Sequence, residues 1–171
     1  MCEPIGCLMV SESEVRVVEQ CGKYSHIAYP GFSCINPCLC MRPNGLLSMR
    51  LEQLQVSCVT KTKDNVFITL NVAVQYQITN DEESIKAANY RLQNATQQIR
   101  SYVYDVIRAA VPKINLDDVF TTKEEISASI SDSLKGSMAS FGYQILSTPI
   151  TDIDPDREVK RAMNEINKMK R

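Results

Sequence analysis

The stretch Val66–Thr79, VFITLNVAVQYQIT, sets the reading of the whole chain. Val66, Ile68, Leu70, Val72, Val74, Tyr76 and Ile78 alternate with Phe67, Thr69, Asn71, Ala73, Gln75, Gln77 and Thr79. A period of two sends the first set to one face of a β-strand and a mostly polar set to the other. The turn Lys61-Thr62-Lys63-Asp64-Asn65 precedes it, so Leu47–Thr60 is expected to pair with it as the other arm of a hairpin. In that arm Leu47, Met49 and Leu51 keep one parity and Leu54, Val56 and Cys58 the other, which predicts a β-bulge near Gln53. Val15–Glu19 and Gly31–Ile35 read as shorter strands.

After Asn80 the texture changes to helix. Asp81, Glu82 and Glu83 favour a helix start, and a short helix follows to Tyr90. A second runs from about Asn94 to Val111, with Ala95, Ile99, Val103, Val106, Ile107 and Ala110 on one face, and stops at Pro112. Thr122-Lys123-Glu124-Glu125 fits a capping box ahead of Ile126, Ile130, Leu134, Met138 and Phe141, and Gly142 ends that helix. Tyr143–Ile153 returns to strand. Asp154 then suits an N-cap and Pro155 a first helical position. Val159, Ala162, Ile166 and Met169 open a heptad seam that suits self-association, or the stripe of a plain amphipathic helix. The expected organisation is a domain over 1–154, β-rich at about 5–80 and α/β at 81–154, with a coiled-coil helix starting at 155–171.

At 171 residues the chain is long enough to bury a core without disulfides or metal. A hydrophobic share of 44% excludes a wholly disordered chain, and a net charge of −1 argues against charge-driven nucleic-acid binding. His26 is the single histidine, so a His-based triad has one candidate base, with Cys21 or Cys34 as the nearest thiols. No phosphate-binding glycine loop, nucleophile elbow or zinc-protease motif occurs. The carboxylate pairs Asp117-Asp118 and Glu124-Glu125 read as helix-end charges, the first in a loop ahead of a helix. No enzyme and no cofactor are expected.

The seven cysteines all lie between Cys2 and Cys58, behind a start that lacks a secretory signal, which points to free thiols in a reducing compartment. Cys34, Cys38 and Cys40 form C-x3-C-x-C, but structural zinc sites usually come as two paired knuckles, so no metal is expected. The longest stretch free of charged residues is Tyr24–Met41. Pro30, Gly31, Asn36 and Pro37 break it as a spanning helix. It reads as a buried hairpin turning at Pro30-Gly31, or as a shallow insertion into one leaflet through Ile27, Tyr29, Phe32, Cys34, Cys38 and Cys40. Cys2 and Cys7 are candidates for acylation, since stable anchoring takes two lipid signals.

Several long runs then carry a resemblance. They are Lys61–Phe67 (KTKDNVF), Tyr102–Lys113 (YVYDVIRAAVPK), Asn115–Phe120 (NLDDVF), and Asp152–Asp156 running into Arg161–Asn167. With the Pro30-Gly31 turn, they make the chain resemble the SPFH (stomatin, prohibitin, flotillin) or Band 7 superfamily, and most of all the plant hypersensitive-induced reaction proteins. The resemblance implies an α+β SPFH domain followed by a long coiled coil. It further implies a non-enzymatic scaffold that oligomerises on the cytoplasmic leaflet, the plasma membrane in the plant family, and organises microdomains with lipid and with client membrane proteins or receptors, immune receptors among them. That family usually begins Met-Gly and can be N-acylated there; with Met1-Cys2, acylation of Cys2 or Cys7 would take its place. The sequence stops at Arg171 before a long coiled coil, so either a truncated form or weaker assembly than in the family is expected, with a monomer or weak oligomer in dilute solution. The other reading is a soluble protein–protein interaction module that regulates a partner without membrane contact.

Overall fold

The computed structural model describes residues 6–36, 39–156 and 159–161. The order of elements is β1 (Gly6–Val10), β2 (Glu14–Gln20), β3 (Lys23–Ala28), β4 (Gly31–Ile35), β5 (Met41–Ser48), β6 (Glu52–Lys61) and β7 (Phe67–Ile78). Helices α1 (Glu82–Tyr90) and α2 (Ala95–Ala110) follow, then a 3-10 turn at Val111–Lys113, α3 (Leu116–Thr121), α4 (Lys123–Ala139), β8 (Tyr143–Ser147) and β9 (Ile150–Pro155). This is a mixed α+β arrangement with antiparallel strands first, then helices and late strands.

The chain divides into two compact units, each built from separated stretches. The first comprises Met1–Glu52, Gln77–Gln93 and Ala139–Gln144; the second comprises Gln53–Tyr76, Asn94–Met138 and Ile145–Arg171. Strands β7 and β8 contribute residues to both.

In the first unit β2 is the centre of a sheet ordered β3-β2-β5, all antiparallel. Its Val15, Val17 and Val18 are each at most 1% exposed, so both faces of this strand are covered. Strands β1 and β4 form a separate antiparallel pair. A two-stranded sheet is marginal in water. Here it is supported on one face, where Val10 and Ile35, with Leu8, pack in a cluster with Val18, Ala28 and Met41. The Pro30-Gly31 step therefore joins strands of two sheets and does not close a hairpin: β3 pairs with β2, and β4 with β1. The tight hairpin is β2–β3, closed by Cys21-Gly22 with both residues at positive φ (50° and 79°) between the paired Gln20 and Lys23.

Helix α1 is tied to this unit by side chains. The Tyr24 hydroxyl donates to Glu82 Oε1 at 2.5 Å, and the Tyr90 hydroxyl donates to Glu19 Oε1 at 2.6 Å. Asn44 Nδ2 donates to the same Glu19 oxygen at 2.6 Å, and Lys86 Nζ sits 4.6 Å from the Tyr24 ring centre. The two donors, Tyr90 first and Asn44 second, hold the Glu19 carboxyl below its usual range. Partial burial, then the bond to Glu82, pushes Tyr24 up to about 12; partial burial and the bond to Glu19 do the same to Tyr90. Gly142 follows α4 at φ 82°, and a Cβ there would strike the Ser84 backbone of α1, so glycine is required twice over.

The second unit is organised by β7. Ile68, Leu70, Val72, Val74, Tyr76 and Ile78 are buried along the strand, as the alternation requires. β6 lies along one edge and β8 and β9 take successive parts of the other, with Leu70 opposite Ile153. Helix α2 buries Ile99, Val103 and Ile107, and its Asn94 N-cap side chain accepts from Gln97 N. Helix α4 buries Ile126, Ile130, Leu134 and Met138. The Ser127 hydroxyl donates to Thr148 O (2.8 Å) while the Thr148 hydroxyl donates to Ser127 O (3.0 Å), a reciprocal clasp between α4 and the β8–β9 junction.

Five further expectations are corrected. The change of parity near Gln53 is no bulge. The chain leaves one sheet at Ser48 and enters another at Glu52, so the alternation restarts. Tyr143–Ile153 is two strands, because Pro149 has no N–H to give a ladder. Asp154 and Pro155 belong to β9, with Pro155 opposite Ile68, instead of capping and opening a helix; among the described residues Lys160 N donates to Asp156 O. The Thr122 hydroxyl donates back to Asp118 O (2.8 Å), closing α3. Finally, Asp117 and Asp118 lie in the first turn of α3, a six-residue helix, and not in a loop.

That short helix also explains one quoted run. Asp64 Oδ2 accepts from Leu116 N at 3.0 Å, and Lys63 N donates to Ile114 O at 3.0 Å. The KTKDNVF turn thus holds the start of the NLDDVF segment. Asp64→Ala strands the Leu116 N–H and is expected to cost about 1–2 kcal/mol, a fall of roughly 2–8 °C in Tm, largely restored by Asp64→Asn. The tyrosines give a second prediction. A raised folded pKa favours the protonated form, so their contribution is full below the ordinary value of 10 and is lost as pH rises towards 12. Thermal melts across that window should show a decline that Tyr24→Phe with Tyr90→Phe flattens.

Candidate membrane-contact site

The β1–β4 pair has two unlike faces. Alternation turns Leu8, Val10 and Ile35 towards the core cluster and leaves Met9, Phe32 and Cys34 outside. Met9 stands directly opposite Phe32 in the register and the two are 82% and 67% exposed. Opposed residues on one face have Cβ atoms about 4.5–5.5 Å apart, so this is one apolar patch and not two scattered side chains. Tyr29, Leu39 and Leu46 of the same unit are also about half exposed.

The sequence-based candidates separate on this geometry. Tyr29, Phe32, Cys34 and Cys40 are exposed. Ile27 is not available, because it is 8% exposed on the inner side of β3. The Cys7 backbone pairs with Cys34. Cys2 and Cys38, with the seam residues Ala162, Ile166 and Met169, lie outside the described residues; Val159 is helical and half-buried. The sequence reading missed Met9, although alternation through Gly6–Val10 separates it from Leu8 and Val10. It also missed Leu39 and Leu46, whose exposure depends on how the chain leaves β4 and enters β5.

The remaining chemistry is sparse. His26 Nδ1 lies 3.2 Å from the Ser25 hydroxyl on its own strand. Among the described residues, no group of three or more His, Cys, Asp or Glu side chains is placed to hold a metal. Cys58 is buried in the second unit, and burial raises its thiol pKa against the opposing pull of Arg108. No helix among the described residues is long and apolar enough to cross a membrane.

A match to the SPFH domain / Band 7 family covers residues 8–171. The chain belongs to that family. SPFH proteins are generally non-enzymatic, membrane-associated scaffolds. The chain is 42% identical to hypersensitive-induced response protein 4 of Arabidopsis thaliana over 97% of its own length and 56% of the relative's. It is 26% identical to human mitochondrial stomatin-like protein 2, over 91% of this chain and 43% of the relative. It is also 26% identical to protein HflK of Vibrio cholerae, over 94% and 40%. It thus spans about half the length of these SPFH relatives.

Exposure of the thiols can be checked directly. Maleimide labelling of the native protein should reach Cys21, Cys34 and Cys40 and spare Cys58 until denaturant is added.

Proposed function

We propose that this chain is the membrane-facing domain of an SPFH scaffold and that it rests on the cytoplasmic leaflet through the outer face of β1–β4. The observation that carries the reading is the Met9–Phe32 pair, two large apolar side chains exposed side by side on a two-stranded sheet. Contiguous exposed apolar surface marks a site of contact with protein or membrane. Cys34 and Cys40 lie exposed in the same unit, and Cys2 and Cys7 supply further thiols for acylation. In this reading the sequence seam Val159, Ala162, Ile166 and Met169 carries homo-oligomer contacts, and the assembly gathers client membrane proteins or receptors. A role in stress or defence signalling is part of this reading, suggested by the likeness to the plant hypersensitive-induced response protein.

The test is binding to vesicles of phosphatidylcholine and phosphatidylserine, with and without Met9→Ser plus Phe32→Ser. Burying one large apolar side chain gains about 1.5–3 kcal/mol, so the double variant should bind at least about tenfold more weakly. Equal binding by both proteins removes the β1–β4 face from the reading. No binding by the parent protein favours a soluble interaction module that uses the same patch for a protein partner.

A further inference from the structure

The cysteines on the surface are not all alike. In the β2–β5 ladder the last register pair is Gln20 opposite Met41. The next residues outward are Cys21 and Cys40, joined by a bond from Cys21 N to Cys40 O at 3.2 Å. They therefore stand opposite one another across two strand ends, where Cα atoms lie about 4.5–5.5 Å apart. A disulfide spans about 4.4–6.8 Å between Cα atoms. Both side chains are exposed free thiols.

Backbone preference does not explain them. Both sit at positive φ, 50° and 53°, a region that disfavours residues other than Gly, Asn and Asp. Cys21 takes the first place of a two-residue hairpin turn, where Asn, Asp or Gly is favoured. Core packing does not explain them either, in contrast to Cys58.

We propose that Cys21 and Cys40 form a redox-active dithiol, a modification site that closes reversibly to a disulfide on exposure to a small disulfide such as oxidised glutathione. The Cys40 thiolate attacks one glutathione sulfur, breaking that S–S bond and releasing one glutathione thiolate, which takes up a proton. Cys21 then loses its proton, attacks the Cys40 sulfur of the mixed disulfide, and releases the second glutathione. Two protein thiols are oxidised and one glutathione disulfide is reduced to two thiols. The Cys21 thiol is held above the ordinary thiol range by its hydrogen bond to Cys40, which suits it to the second, resolving step. Exposure makes such a disulfide labile, so a thiol reductant reopens it. The closed form ties the β2–β3 turn to the start of β5. The proposal does not depend on membrane binding.

The full chain would be equilibrated with reduced and oxidised glutathione, blocked with iodoacetamide, and digested with trypsin without reduction. Cys21 falls alone in the peptide Val17–Lys23; Cys34, Cys38 and Cys40 fall in Tyr24–Arg50, since Pro43 prevents cleavage after Arg42; Cys2 and Cys7 fall in Met1–Arg16. The expected product is Val17–Lys23 joined to Tyr24–Arg50, two hydrogens lighter than the separate peptides and released by dithiothreitol. It should persist in Cys34→Ser and Cys38→Ser and vanish in Cys40→Ser. Cys21→Asn, which suits the turn and so preserves the fold, should stop at a Cys40–glutathione mixed disulfide. A cross-link to Met1–Arg16 in its place, loss of the link in Cys34→Ser or Cys38→Ser, or mixed disulfides alone in the parent protein would overturn the proposal.

Discussion

The burial of one face of β7 is the constraint on which the rest depends. Ile68, Leu70, Val72, Val74, Tyr76 and Ile78 all lie in the interior, so a slip of one residue would exchange them for Thr69, Asn71, Gln75 and Gln77. Register along both edges follows from that. β6 arrives through the Lys61–Asn65 turn, and β9 must bring Ile153 opposite Leu70 for its own alternation to match. The Asp64 carboxylate then uses the same turn to fix the start of α3.

Periodicity made β7, α2 and α4 legible because each buries a continuous stripe, and the stripe leaves its period in the sequence. The strand Gly31–Ile35 was also read with its observed bounds. What escaped was set by pairing between distant segments. Nothing local tells that Leu47 belongs with Val15 while Val56 belongs to the sheet of β7, so a change of sheet looked like a bulge. Pro30-Gly31 looks like a hairpin turn because the residues suit one, yet the strands it joins have other partners. Helix α3 is too short to show a period at all.

The candidate surface was half legible for the same reason. An uncharged run between Tyr24 and Met41 marks a region but not a face. Strand alternation sends Ile27 inward and Phe32 outward, and only the β1–β4 register places Met9 beside Phe32. The family runs, by contrast, were long enough to identify the SPFH domain without any geometry. SPFH proteins are generally membrane-associated scaffolds, whereas the surface proposed for contact here rests on the strand pairing.

The two units interleave along the chain, the first closing only with Ala139–Gln144 and the second drawing on Ile145–Arg171. Neither can therefore be completed early in synthesis. β7 waits for β9, whose Ile153 pairs with Leu70 across most of the helical segment. Such a chain has high contact order, with loop-closure entropy opposing assembly before the long-range pairs form. While a ribosome is still making the helices, the apolar face of β7 has no late strands beside it, and an incomplete chain of this kind is a natural client for chaperones. The same interleaving means that no single cut in the sequence yields either unit whole.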